Sequence, residues 1–149
     1  VPLAPSAAAL QTTQDRIFEK TFIAGLGIPV APFADVEDDA ALQAAIARIG
    51  TPAILKTRRF GYDGKGQARI DAPQGAATAF ASIGRSPAIL EGFVRFDMEV
   101  SVIAARGWNG RVAVYDVPEN HHEQGILRTS TVPARIPAGV AEKARAMGS

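Results

Sequence analysis

Three glycines fall within six residues, at Gly61, Gly64 and Gly66, and they sit between two segments that read as strands. The apolar run Pro52-Ala53-Ile54-Leu55 precedes them as a short buried strand, and Gln67-Ala68-Arg69-Ile70 follows as a returning one. Glycines there let the backbone turn tightly and come close to a ligand. The stretch from Lys56 to Arg69 also holds five basic residues (Lys56, Arg58, Arg59, Lys65, Arg69) against one acid, Asp63. A cationic flap rich in backbone N–H groups suits a polyanion, and a phosphate chain is the obvious candidate. On residue types alone, a surface hairpin with solvated charges is an equal alternative. The order G-x-x-G-x-G is not a P-loop, because Gly66 stands where that motif needs a hydroxyl after Lys65. Nor is it a dinucleotide fingerprint, which needs G-x-G-x-x-G opening a helix.

A chain of 149 residues affords one domain or two small subdomains. With 47% hydrophobic residues, 21% charged residues and a net charge of +1, it can fill a core. The same balance argues against a disordered tail or a dedicated nucleic-acid binder. Cysteine is absent, which removes disulfide frameworks and thiolate metal sites and suits a cytoplasmic setting. No apolar run approaches the roughly 18 residues a membrane span needs. Val1 to Leu10 is apolar but interrupted by two prolines and carries no basic leader, so it does not read as a signal peptide. The chain does not open on Met, and its last helical pattern, Ala141 to Met147, stops at Gly148-Ser149. Both ends read as cut, and a piece of a longer protein is expected.

In chain order, Thr12-Thr13-Gln14-Asp15 predicts a helix start, with Ile17, Phe18 and Phe22 near one face and Gly25 and Gly27 ending the helix. Arg16 there reads as a surface ion-pair partner of Asp15 or Glu19. Ile28 to Phe33, bracketed by prolines, predicts an edge strand. Asp38-Asp39 caps a helix whose Leu42, Ala45, Ile46 and Ile49 keep one buried stripe, and Gly50 and Pro52 stop it. Pro52-Ala53-Ile54-Leu55-Lys56 is echoed by Pro87-Ala88-Ile89-Leu90-Glu91, with a helix over about Gly75 to Ile83 between them. Two buried strands thus end in charges of opposite sign, Lys56 and Glu91. Met98 to Ala104 predicts a strand, Trp108-Asn109-Gly110 a hairpin turn, and Val112 to Tyr115 its return. Asp116 to Gln124 reads as a polar loop with both histidines, Ile126 to Val132 as a strand, and a helix follows Pro137.

The adjacent histidines His121 and His122 invite a metal. Neighbours in an extended segment point opposite ways, and no third nitrogen ligand is in view, so no metal site is assigned. A histidine lining a phosphate or substrate pocket, or plain solvated surface, fits better.

Taken together, several motifs resemble one family. They are Gln14-Asp15-Arg16, Ile54-Leu55-Lys56, Gly61-Tyr62-Asp63-Gly64-Lys65-Gly66-Gln67, Glu91-Gly92-Phe93-Val94 and Glu99-Val100-Ser101. Ala105-Arg106 and Glu119-Asn120-His121-His122 through Gly125-Ile126-Leu127-Arg128 complete the set. The family is N5-carboxyaminoimidazole ribonucleotide synthetase, the ATPase subunit of phosphoribosylaminoimidazole carboxylase and an ATP-grasp ligase of purine biosynthesis. The resemblance runs from about Thr12 to Thr131. It implies an α/β (α+β) ATP-grasp fold: a connecting segment and first helix over 1–27, a lid subdomain with the flap over 28–92, and the start of a second subdomain over 93–149.

The implied reaction uses ATP and bicarbonate to carboxylate 5-aminoimidazole ribonucleotide through carboxyphosphate. Arg16 and Lys56 resemble ATP-contacting cations, and Gly61, Tyr62, Asp63, Gly64, Lys65, Gly66 and Gln67 the flap over the triphosphate. Glu91, Gly92, Phe93 and Val94 resemble the strand that pairs with the adenine edge. Glu99 resembles the ribose carboxylate and His122 a histidine near the phosphates. Carboxylates at the base and sugar end with cations at the other end suit phosphoryl transfer, which needs charge neutralisation and positioning.

No catalytic residue is assigned. The family's Mg2+ ligands, its Asn-Glu strand, most of its aminoimidazole nucleotide contacts and its amino-terminal subdomain are expected outside these 149 residues. By itself the chain is expected to bind ATP weakly and not to turn over. The family is typically dimeric, so a homodimer is implied. Competing readings are another ATP-grasp carboxylase or ligase, a nucleic-acid module using the basic loop and Trp108, and a non-catalytic nucleotide-binding or scaffolding fragment. No membrane partner is expected.

Overall fold

The computed structural model describes residues 4–61, 65–123 and 125–148. They fall into two compact units, Val1–Val94 and Arg95–Ser149.

The first unit starts with α1 (Ala7–Thr13) and α2 (Arg16–Gly25). This differs from the expected helix start at Thr12. Thr12 and Thr13 instead close α1, their hydroxyls donating to the carbonyls of Ala8 and Ala9. Asp15 is extended and caps α2 by accepting from the Ile17 N–H at 3.0 Å. The strand expected over Ile28 to Phe33 is displaced to β1 (Phe33–Val36), since Pro29 and Pro32 cannot donate to a ladder. Helix α3 (Asp39–Ile49) follows the predicted pattern: Asp38 caps it through the Ala41 N–H, and Leu42, Ala45 and Ile46 are buried.

Strands β2 (Ala53–Thr57), β3 (Gln67–Ile70) and β4 (Ala88–Gly92) complete a four-stranded sheet in the order β1-β4-β2-β3, antiparallel throughout. β1 is at an edge, as expected. Between β3 and β4 the chain forms a 3-10 turn at Pro73–Gly75 and then α4 (Ala76–Ser82). Helices α3 and α4 pack on one face, where Leu42, Leu55, Phe80 and Leu90 form the centre of the core. Alternation then sends Ile54, Lys56 and Glu91 to the opposite face. Lys20 of α2 reaches Glu91 there, at 3.3 Å.

In the second unit the single strand expected over Met98 to Ala104 is divided. β5 (Glu99–Val100) pairs with β8 (Glu119–Glu123), whereas β6 (Ala104–Arg106) pairs with β7 (Val112–Val114) across the expected Asn-Gly turn. β8 replaces the polar loop expected over Asp116 to Gln124. It is the middle strand of the sheet β5-β8-β9, with β9 at Ile126–Thr131. A polar strand is stable there because backbone ladders on both sides hold it, and hydrophobic alternation is not required. α5 (Ala138–Met147) follows Pro137, as predicted.

Candidate functional site

In the first unit the stem of the glycine-rich hairpin is the focus. The Thr57 N–H donates to the Gly66 carbonyl at 2.8 Å, closing the β2–β3 pair. Gly66 has φ +71, and a Cβ there would lie 2.7 Å from Thr57 Oγ1. Only glycine meets both conditions. A Cβ on Gly61 would come within 2.9 Å of Arg16 Nη2, so that glycine admits the Arg16 guanidinium against the loop. Lys65 lies in the turn before β3, and Gln67 opens β3 opposite Lys56. Tyr62, Asp63 and Gly64, also assigned to the flap, lie outside the described residues.

Arg16 is not arranged as the surface ion pair expected from its neighbours. Its backbone N–H donates to the Arg58 carbonyl and its Nε to the Thr57 carbonyl, each at 3.1 Å. The helix start and the loop stem are therefore stitched together.

The local excess of positive charge is also largely offset, which corrects the picture of a bare cationic flap. Arg58 grips Asp15 with Nε and Nη2 (2.8–3.1 Å) and reaches Asp35 with Nη1, while Arg59 Nε meets Asp15 at 3.2 Å. Arg69 pairs with Asp71 at 2.7 Å. Asp15 is 2% exposed. Burial alone would raise its carboxyl, but the hydrogen bonds from Arg58, the Ile17 N–H and Arg59 outweigh that and hold it below the usual carboxylate value. The same bond to Asp15 raises the Arg58 guanidinium.

Lys56 and Glu91 are not segregated to two ends of a site. β2 and β4 run antiparallel, so Ile54 faces Glu91 and Lys56 faces Ile89. Lys56 and Glu91 are then diagonal neighbours on one face, and Nζ lies 2.7 Å from Oε2. At the end of β4 and directly after it, the Gly92 and Phe93 N–H groups donate to the carbonyls of Pro32 and Pro52. Phe93 sits under the Arg69 guanidinium at 4.3 Å, and Val94 is half exposed.

Two cavities adjoin the stem. One of about 570 Å³ is lined in part by Asp15, Thr57, Arg58, Phe60 and Gly66. The other, about 540 Å³, is lined in part by Gln14, Arg16, Arg59 and Gly61. Reading the sequence placed Arg58 in the basic stretch and Asp15 in a motif beside Arg16, but missed that the two meet. Phe60 is 92% exposed with φ +62, an uncommon backbone for a bulky residue. The one available signal was Asp15 directly before Arg16, opposite a double arginine.

In the second unit, Glu99 pairs in register with Asn120, and His122 Nδ1 lies 3.3 Å from Glu99 Oε1. His121 turns the other way, toward Glu123 at 3.6 Å, as alternation along a strand requires. A β-bulge between His121 and His122 leaves Arg128 of β9 without a register partner. Glu99, Asn120 and His122 line a cavity of about 290 Å³ with Phe96 and Met98. Among the described residues, no group of three or more His, Cys, Asp or Glu side chains converges to hold a metal ion.

The first unit is thus a helix-backed antiparallel sheet whose glycine-rich hairpin is tied at its stem by Arg16. The ATP-grasp domain model matches residues 21–149, and the chain belongs to that family. Among its relatives, it is 54% identical over 144 residues to the N5-carboxyaminoimidazole ribonucleotide synthase of Brucella melitensis, covering 95% of this chain and 40% of that protein. The crystal structure of N5-carboxyaminoimidazole ribonucleotide synthetase from Thermus thermophilus superposes with a TM-score of 0.90 at 45% identity, over 99% of this chain and 40% of that one. An Aspergillus clavatus N5-carboxyaminoimidazole synthase, solved with ADP and 5-aminoimidazole ribonucleotide, gives a TM-score of 0.87 at 25% identity, over 96% and 37%. The chain spans about 40% of the length of such relatives.

Proposed function

We propose that this chain is the ATP-binding part of a carbon–nitrogen ligase of purine biosynthesis. The ligase carboxylates 5-aminoimidazole ribonucleotide with ATP and bicarbonate, giving N5-carboxyaminoimidazole ribonucleotide. The observation that carries the reading is the 54% identity to a synthase of that name, spread over 95% of this chain. In this reading a bicarbonate oxygen attacks the γ-phosphorus and ADP leaves. The carboxyphosphate formed then loses phosphate as its carbon passes to the amine of the ribonucleotide.

The residue roles belong to the same reading. Arg16, fixed by two bonds to the loop stem, and Lys56 on β2 offset phosphate charge. Gly61 through Gln67 close over the triphosphate with their N–H groups. The segment Glu91 to Val94 pairs with the adenine edge. Glu99 takes the ribose hydroxyls, with His122 beside it. Mg2+ would neutralise charge on the phosphates, with ligands supplied from outside the described residues. A homodimer working in the cytoplasm belongs to the same reading. Among the described residues no helix is long and apolar enough to cross a membrane.

Calorimetric titration with a non-hydrolysable ATP analogue, beside Lys56→Ala and Glu99→Ala, tests this. Loss of one charged contact is expected to weaken binding about tenfold or more in each variant. A folded chain that binds no analogue would sink the reading. In a protein that carries this chain with its flanking sequence restored, phosphate release that depends on both bicarbonate and 5-aminoimidazole ribonucleotide separates this activity from that of other ATP-grasp ligases.

A further inference from the structure

Asp15 is nine-tenths or more buried, belongs to no assigned contact, and holds more hydrogen bonds than a helix cap requires. It accepts from the Ile17 N–H, from Nε and Nη2 of Arg58, and from Nε of Arg59. Those arginines belong to a segment 43 and 44 positions along the chain, at the point where the glycine-rich loop leaves β2. A buried ionic cluster is weak evidence for stability in itself, because desolvation opposes the Coulomb gain and apolar packing often does as well. What such a cluster does supply is fixed geometry, since a carboxylate and a guanidinium fork match in only a few orientations.

The geometry fixed here surrounds Arg16. That residue follows Asp15 directly, and both of its anchors, the carbonyls of Thr57 and Arg58, lie on the clamped segment. The Arg58 N–H is tied in turn to the Pro87 carbonyl at 2.9 Å, and Asp35 holds the far side of its guanidinium.

We propose that Asp15 is a positioning residue of the nucleotide site: it clamps Arg58 and Arg59 at the stem of the glycine-rich loop and so sets Arg16 for a phosphate chain. The proposal rests on the nucleotide reading above. Asp15 does not touch the nucleotide; it acts through Arg16, Arg58 and Arg59.

The test compares the unmodified chain with Asp15→Asn, Arg58→Lys and Lys56→Ala. Asn keeps the size and can still cap α2 but lacks the charge. Lys keeps the charge of Arg58 but not its fork. Two quantities are measured: affinity for a non-hydrolysable ATP analogue, and amide hydrogen exchange at Arg16 and Arg58 against that at Leu55 and Leu90 in the sheet.

The clamp predicts that Asp15→Asn and Arg58→Lys each weaken the analogue by roughly tenfold to a hundredfold. It also predicts faster exchange at Arg16 and Arg58 and unchanged exchange at Leu55 and Leu90. Where Lys56→Ala weakens the analogue, unchanged affinity in both variants overturns it, whatever the exchange shows. Acceleration that is as large at Leu55 and Leu90 also overturns it, because Asp15 would then serve general stability. Wild-type affinity in Lys56→Ala counts against the nucleotide reading alone, and the local exchange pattern still judges the clamp. If Asp15→Asn does not fold, Arg58→Lys decides by the same two measurements.

Discussion

Two charged contacts, one in each unit, turn out differently. In the first, the Asp15 side chain is 3% exposed and draws Arg58 and Arg59 from a distant segment, with Arg58 itself 17% exposed. In the second, Glu99 and His122 are 44% and 34% exposed, and neighbouring strands of one ladder bring them together. The first cluster ties separate parts of the chain and is shielded from solvent, so its groups are fixed. The second is local and wet, and its members are free to re-pair with a ligand at little cost to the fold. Charged contacts are thus a shielded tie between distant segments in one place and a solvent-exposed local pair in the other.

The sharpest way to break that contrast is truncation. Asp15→Ala strands two arginines and removes a cap, and it should cost about 4 kcal/mol in urea unfolding. Glu99→Ala should cost under about 1 kcal/mol. Similar losses in the two variants would erase the distinction.

Next in size, Gly66→Ala should destabilise by about 2–3 kcal/mol, from the left-handed backbone together with the contact on Thr57. In a Thr57→Ala background the contact is gone, and only the backbone part should remain. Equal costs in the two backgrounds would show that the close approach does not matter.

Acid provides a third separation. Because the folded-state carboxyl of Asp15 is held below its ordinary value, its stabilisation is complete above that ordinary value. It is lost as pH falls through the lowered one. The stability difference between the unmodified chain and Asp15→Asn should therefore be constant from neutral pH down to about 4 and shrink below that. A difference that disappears well above pH ~4 would contradict the clamp geometry. Smallest of all, His121→Ala, which removes an exposed group at 3.6 Å from Glu123, should move stability by no more than about 0.5 kcal/mol.

Regions with strong local pattern could be read from the residues alone. Helix α3 kept its cap, stripe and stop, and the hairpin β2–β3 lies where Ile54, Leu55 and the glycines required it. The start of α2 was harder, since both Thr12 and Asp15 are good caps and only packing decides that Thr12 belongs to the preceding helix. β8 was invisible because Glu119 to Glu123 shows no apolar alternation, its order coming from ladders with segments on both sides.

Among candidate site residues, Arg16, Lys56, Glu99 and His122 were singled out by resemblance. Which charge meets which depended on register, and register is a property of pairs of strands. The diagonal placement of Lys56 and Glu91, and the pairing of Asp15 with arginines more than forty positions away, have no signature in either segment by itself.

The Lys56–Glu91 contact also bears on which anions the chain should accept. An anion binding at Lys56 as proposed would not meet a bare ammonium; it would replace a resident counter-ion, so its entry would be an exchange reaction inside the protein. A monovalent guest has little advantage over the carboxylate already in place, whereas a multiply charged one outcompetes it. Under the proposed role of Lys56, the arrangement would thus act as a valence filter, and acetate, with the same single charge as Glu91, should be a poor competitor of a triphosphate even at far higher concentration.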